Sequence, residues 1–349
     1  MANELFTVAS VDIKHNGKNF KDEYMANLEV LVVEHEINKP SMFTIKMNLY
    51  NFEEGSWRGV DLEEFIPGDS VEIKMGMEES VELFKGELTA IEPEFCEHPK
   101  LVLRGYDKMY RLNFGAKRRS FLDVKDSEIA KQVGSESGLS IKADSTDSVY
   151  PYVFQNNVSN FVFLQERSKR IGFEMLVDGD DLLYRKSAED REPEFSLEYG
   201  VDLDRFSPKL SLLTQGSQVE VRGWSSEKKE EISSSAKDGS ANTTMKGGKD
   251  GYQVSTQVEK SDMAVVNDFI LDAADGDVVA KARYNTYIKN FITGEGECAG
   301  NSRIRAGKTV EIKGLGKKFS GAYYIHFSRH VYNASTGYKT IFKVKRTGI

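Results

Sequence analysis

Two stretches of the chain alternate apolar and polar residues in the same way. Residues 68–74 read GDSVEIK and residues 307–313 read GKTVEIK. A period of two puts one face of a strand into a core and the other into water. A second match follows each stretch: Phe84-Lys85-Gly86 with Ile91 in the first, Phe319-Ser320-Gly321 with Ile325 in the second. A last strand-like run closes each copy, LVLRGYD from Leu101 and TIFKVKR from Thr340. Alternation of the V-x-I kind is common in β proteins. Three matched segments in one order predict two similar β-barrels, one near each end of the chain.

The pattern between the copies differs. Leu28, Val30, Leu31, Val32 and Val33 form a dense apolar run, and Phe43, Ile45, Met47 and Leu49 alternate after it. With Pro67-Gly68 as a turn, residues 1–111 read as a first barrel domain, which 201–224 is expected to complete. From residue 112 to 200 the pattern becomes mixed. Asp126 or Ser127 is the expected cap of a helix carrying Ile129, Ala130 and Val133 on one face and ending at Gly138. Ser159 is the expected cap of a second helix, with Phe161 and Leu164 on one face, Arg167, Lys169 and Arg170 late in it, and Gly172 at its end. Asp178-Gly179-Asp180-Asp181 then reads as a hairpin turn. Residues 225–258 are rich in Ser, Gly and Lys and read as an extended polar loop. Residues 259–349 read as two helical pieces split near Gly276, the second capped by Asp277, followed by the second barrel. The fold class is therefore α+β, mainly β: two tube-like barrels with a helix-containing insert.

Charge and chemistry narrow the function. The formal net charge of −8 argues against general nucleic-acid binding. Two cysteines, Cys96 and Cys298, are too few for a disulfide framework or a zinc cluster. No window approaches the ~20 apolar residues of a membrane helix, so no stable membrane insertion is expected. The first residues lack a basic segment followed by an apolar one, which places synthesis in the cytoplasm. Ala306-Gly307-Lys308-Thr309 resembles half a phosphate loop, but Ser302 stands where the first Gly belongs and a strand follows instead of a helix. His326 and His330 would share one face of a strand roughly 13 Å apart, too far for one ion. The Asp178–Asp181 run lacks the spaced ligands of a calcium loop. Glu295 and Glu297 beside Cys298 have no base nearby in sequence. No catalytic, cofactor-binding or metal residue is assigned, and no cofactor is expected. Lys117-Arg118-Arg119 is the sharpest basic cluster, a solvated approach to a helix or a protein contact.

The span 103–185 carries a resemblance. Its features are Gly105-Tyr106-Asp107, the basic run before the Asp126–Ile129–Ala130 helix, and Gly138-Leu139. Gln155, Ser159, Phe163 and Leu164 follow, then Arg170, Gly172, Phe173, Asp178, Gly179, Asp180 and Leu182. Gly321, Tyr323, Ile325 and His330 add a C-terminal pattern. Together they resemble the hub family shared by phage late-control D proteins and the VgrG proteins of type VI secretion. The resemblance implies a structural baseplate hub, not an enzyme: a homotrimer whose paired barrels give a pseudo-sixfold face. Its implied partners are the sixfold inner tube protein, a threefold spike and other baseplate proteins, within a phage tail or injection particle and with no specific nucleic acid. Long β-helical repeats do not follow the second copy, so the spike is expected on a separate chain or was removed from this one. Two other readings stand beside it, a tail-tip effector or cell-wall-cutting enzyme and a host-surface binding module.

Overall fold

The alternating runs are strands. The structure, a computed structural model, describes residues 9–51, 56–57, 60–77, 79–213, 215–225, 229–260, 262–265 and 270–349. The first part contains β1 (Ser10–His15), β2 (Lys18–Asn19), helix α1 (Asp22–Ala26), β3 (Leu28–Glu36), β4 (Met42–Asn48), β5 (Tyr50–Asn51), β6 (Ser56–Trp57), β7 (Ser70–Gly76), β8 (Val81–Glu94) and β9 (Lys100–Tyr106). Period two decides what each strand buries: Phe43, Ile45 and Met47 from β4, Val71, Ile73 and Met75 from β7, Leu101 and Leu103 from β9. Ile13 of β1 joins the same core as Leu31 and Val33 of β3, so the sheet bends around one apolar centre.

The insert contains β10 (Lys117–Lys125), α2 (Asp126–Glu136), β11 (Ser140–Ala143), β12 (Val149–Val158), α3 (Asn160–Arg170), β13 (Phe173–Asp178) and β14 (Asp181–Lys186). Ser159 caps α3 as its side chain accepts from Val162 N–H at 3.2 Å. Helix α2 differs from expectation at its start. Asp126 is its first helical residue and Lys125 the residue before, whose N–H donates to the Glu128 carboxylate at 2.9 Å. Asp126 points inward instead, to Arg167. Gly138 and Gly172 close the two helices with φ of +69° and +72°, a region that favours glycine. The insert has its own core, built on Ile129, Val133, Leu164 and Met175.

The last part contains β15 (Phe195–Glu198), β16 (Arg205–Leu210), β17 (Gln218–Ser225), β18 (Glu230–Ala236), α4 (Gly251–Ser255), β19 (Asp262–Val265), α5 (Ala273–Ile288), β20 (Ile292–Ala299), β21 (Thr309–Lys313), α6 (Gly316–Phe319), β22 (Gly321–Asn333) and β23 (Gly337–Arg346). Four expectations are corrected here. Residues 201–224 do not complete the first β unit: β16 pairs with β20, and β17 joins a separate sheet with β18 and β19. The polar 225–258 stretch is not simply an extended loop. Its Ile232, Ser234 and Ala236 alternate inward along β18, with small residues fitting beneath α5. In the 259–288 region, the first expected helical piece gives way to strand β19, and residues 266–269 lie outside the described residues. The cap of α5 is Asp272, which accepts from Asp275 N–H at 2.9 Å, so Gly276 sits inside the helix. A side chain there would meet Ser234 Oγ at 2.6 Å, which is why a glycine faces β18.

The molecule is mainly β, with several antiparallel sheets. One sheet runs β16-β20-β23-β22-β3-β4-β9-β8-β7-β1-β2, with β21 on β22 and β15 on β21. No ladder among the described residues closes into a ring of strands.

Candidate assembly interface

Strand pairing shows that a unit of six strands occurs twice. The first reads β1-β7-β8-β9-β4-β3 and the second β15-β21-β22-β23-β20-β16. The ladders fix the residue correspondence. Gly68 N–H donates to Leu88 O at 2.7 Å and Leu88 N–H to Asp69 O at 2.8 Å. Gly307 N–H donates to Ile325 O at 2.8 Å and Ile325 N–H to Lys308 O at 2.9 Å. Both long strands then carry a bulge at the next residue, Thr89 in β8 and His326 in β22. Beyond the bulge, Leu101 corresponds to Thr340, as the sequence match has it. The middle match is out of register. Gly86 lies opposite Val71 and Tyr323 opposite Val310, so Gly86 corresponds to Tyr323, and Phe319 ends a helical turn. The outermost strands also differ, β1 antiparallel to β7 but β15 parallel to β21.

The two units meet through a ladder. Residues Phe327–Asn333 of β22 run antiparallel to Val30–Glu36 of β3. Ile37 N–H donates to His326 O at 3.1 Å and Ala334 N–H to Glu29 O at 3.0 Å, so the odd-numbered residues of β3 hydrogen-bond across the seam. On the seam's inner face, Ser328 and His330 are buried and Tyr332 packs on the first unit's core. On its outer face Arg329 Nε donates to Glu34 Oε1 at 2.5 Å. His330 holds Tyr338 Oη at 2.7 Å and Ile304 O at 2.9 Å. Its ring partner is His35, 5.9 Å away between centroids, and not His326, which occupies the bulge. Burial lowers His35 to about 4, helped by the nearby Arg305 charge. Burial and then His35 push His330 well below its ordinary value. Both rings are therefore neutral parts of the seam. Among the described residues no group of three or more His, Cys, Asp or Glu could hold a metal ion.

A buried ionic cluster fixes the insert against α5. Arg170 Nη1 donates to Asp275 Oδ1 at 2.9 Å and Nη2 to Oδ2 at 2.5 Å. Tyr150 Oη donates to Asp275 Oδ1 at 2.7 Å, and Leu271 N–H to Oδ2 at 3.0 Å. Burial opposes ionisation of Asp275, but Arg170 and the Leu271 N–H outweigh it and hold the carboxyl below its usual value. Next to it, burial raises Asp126 against the pull of Arg167.

The other residues singled out in sequence have local roles. Lys117-Arg118-Arg119 opens strand β10, which leads directly into α2. Arg119 turns in to Gln155, Glu136 and Asn160, while Arg118 is exposed across the Phe154 ring. Asp178 pairs with Asp181 in a hairpin whose Gly179 has φ +61°, and Asp180 binds Lys85 at 2.7 Å. Lys308, in the half phosphate loop, binds Glu194 at 2.9 Å ahead of strand β21. Glu295 and Glu297 reach Arg205 across the β16–β20 ladder. The seam was not legible in sequence, although His35 and the bulge residues stand in it.

This architecture is shared with tail proteins of known structure. The 43 kDa tail protein of prophage MuSo2 from Shewanella oneidensis superposes with a TM-score of 0.73 at 13% identity, covering 97% of this chain and 98% of that one. A tail protein from Neisseria meningitidis MC58 gives 0.72 at 11% identity, over 97% of each chain. The E. coli c3393 protein, a component of the type VI secretion system, gives 0.62 at 9% identity, over 96% of this chain and 77% of its own. The fold is thus that of phage tail and type VI secretion proteins. In sequence, the chain belongs to the family of the Alg8 N-terminal domain, whose model matches residues 6–333. No curated protein matches it.

Proposed function

We propose that the chain is a structural hub of a contractile tail or injection machine. Three copies form a ring, and the two similar units of each copy together present six. That face meets the sixfold inner tube protein. The insert and the 225–288 region, which occur once per chain, leave the opposite face threefold, where a spike is received and baseplate proteins attach. The repeated six-strand order with its matched bulges carries this reading, because a trimer needs two equivalent units per chain to match a sixfold partner. The fold held in common with tail proteins supports it. In this proposal each unit is a tube-like barrel, its core shared by strands from one outer edge to the other. The chain acts by shape and assigns no residue to catalysis, cofactor or metal.

The mass of the purified protein tests the proposal. Light scattering is expected to give three times the 39.3 kDa of one chain. A monomer at all concentrations, alone and with the inner tube protein present, would contradict it.

A further inference from the structure

The seam between the units inside one chain also specifies a seam between chains. By the ladder correspondence, β16 occupies the place of β3, and the outer half of β8 the place of Phe327–Asn333 in β22. Among the described residues both are open edges in a single copy: β16 pairs with β20 alone, and residues 90–94 with β9 alone. We propose that the outer half of β8 pairs antiparallel with β16 of a second copy, with Ile91 opposite Leu210, Glu92 opposite Lys209 and Phe95 opposite Phe206. This rests on the ring reading above and gives it a register.

The correspondence sets that register without adjustment. Leu31 lies opposite Ile45, and Ile45 opposite Leu103; Phe206 lies opposite Gly296, and Gly296 opposite Phe342. Leu103 and Phe342 are equivalent, so Phe206 stands for Leu31. The chemistry then agrees on three counts. The outer-face ion pair Arg329–Glu34 becomes Glu92 facing Lys209, again opposite charges with the signs exchanged. The inner face gathers Ile91, Pro93, Phe95, Phe206, Pro208 and Leu210, all apolar, while Glu92, Glu94, Ser207 and Lys209 point the other way. Phe95 is 68% exposed, although its counterpart Tyr332 packs on a core.

An apolar groove extends the match. It lies at the Thr89 bulge and is lined by Pro67, Leu88, Tyr106, Tyr110 and Phe114. In the second unit the equivalent bulge, His326, is met by Ile37. The counterpart of Ile37 is Leu212, followed by Leu213, which is 92% exposed. The second copy therefore brings an aliphatic pair to an apolar groove.

The prolines make this seam different from the internal one. Ser211 N–H donates to Phe291 O, so the nitrogen of Pro208 faces away from β20, and Pro93 takes the place of His330, which bonds across the internal seam. Pro93 and Pro208 thus fall opposite each other at a position where both would have donated. The ladder is interrupted there and held on either side. The same prolines keep each edge from pairing indiscriminately before assembly.

Cysteine pairing tests the register. Glu92 and Lys209 form a non-hydrogen-bonded pair, where Cα atoms about 4.5 Å apart lie within the range of a disulfide. In a C96S background, E92C with K209C is expected to oxidise to covalent dimers and then trimers, and no further. E92C with S207C, two residues out of register, is expected to link at least tenfold more slowly. A trimer by mass in which E92C with K209C fails to link, or links no faster than E92C with S207C, overturns the register and leaves the ring standing. A protein that stays monomeric by mass overturns both. Charge exchange gives a second readout that needs no cysteine. E92K or K209E alone should raise the trimer dissociation constant at least tenfold, and the two together should restore it; no recovery overturns the Glu92–Lys209 pairing.

Discussion

Asp275 is the point at which the insert is tied to α5, and D275A is the sharpest perturbation of that tie. The Asp275 side chain is 1% exposed and its Arg170 partner 9%. Truncation leaves the Arg170 guanidinium buried without its counter-charge, and Tyr150 and the Leu271 N–H lose an acceptor. Breaking one side of a buried pair costs about 3–5 kcal/mol. Replacing both partners with apolar groups, as in R170M with D275L, removes the stranded charge and should cost less than D275A alone, because the desolvation penalty of both ions is also removed. Urea denaturation followed by fluorescence measures the two variants, with the double-mutant cycle giving the coupling. Equal stability of D275A and the wild type, to within about 0.5 kcal/mol, would refute the anchoring role, since surface changes of no consequence fall in that range. The pH dependence has a definite sign. The folded carboxyl ionises below its ordinary value, so its stabilisation is complete above the unfolded pKa near 4 and is lost as pH falls through the folded value.

Three further outcomes follow from the seam and the cores. I73D and I312D each place a charge where exposure is 0%, and each should abolish soluble folded protein or cost more than about 4 kcal/mol by thermal unfolding; full stability in both would mean these positions do not face a core. His35 ionises at about 4 when folded and near 6.5 when unfolded, so the unfolded chain takes up the proton first. Wild type should therefore lose ground to H35Q by up to about 3 kcal/mol as pH falls from 6.5 towards 4; a pH-independent difference between the two would contradict a neutral buried ring. G105A should destabilise by about 2 kcal/mol or more in denaturant titration, because its Cβ would sit 2.1 Å from Glu87 O and 2.3 Å from Phe43 Cε1; a neutral result would show that the β4–β9 ladder yields there.

Sequence showed the duplication but misplaced part of it, for a physical reason. The GDSVEIK and GKTVEIK runs and the last strands keep their register because period two buries the same positions in both copies. Large and small residues are exchanged between equivalent places elsewhere. Phe43 faces Gly105 in the first unit, whereas the equivalent pair of the second sets Gly294 against Val344. The same exchange sets Phe84 and Gly86 of β8 in the places of Gly321 and Tyr323 of β22, so the like residues Phe319-Ser320-Gly321 lie out of register. Strand β18 was not legible because small residues, Ser234 and Ala236, follow Ile232 on its inward face under a close-packed helix. The seam was hidden altogether, since β3 and β22 are nearly 300 residues apart in sequence and hydrogen bonding, not composition, joins them.

The most direct test of the hub account is the rotational symmetry of the assembled particle in end-on electron micrographs. The account predicts a ring of three chains around a central channel, with six similar lobes on one face and three on the other. A ring with only three lobes on both faces, or a particle with no rotational symmetry, would contradict it.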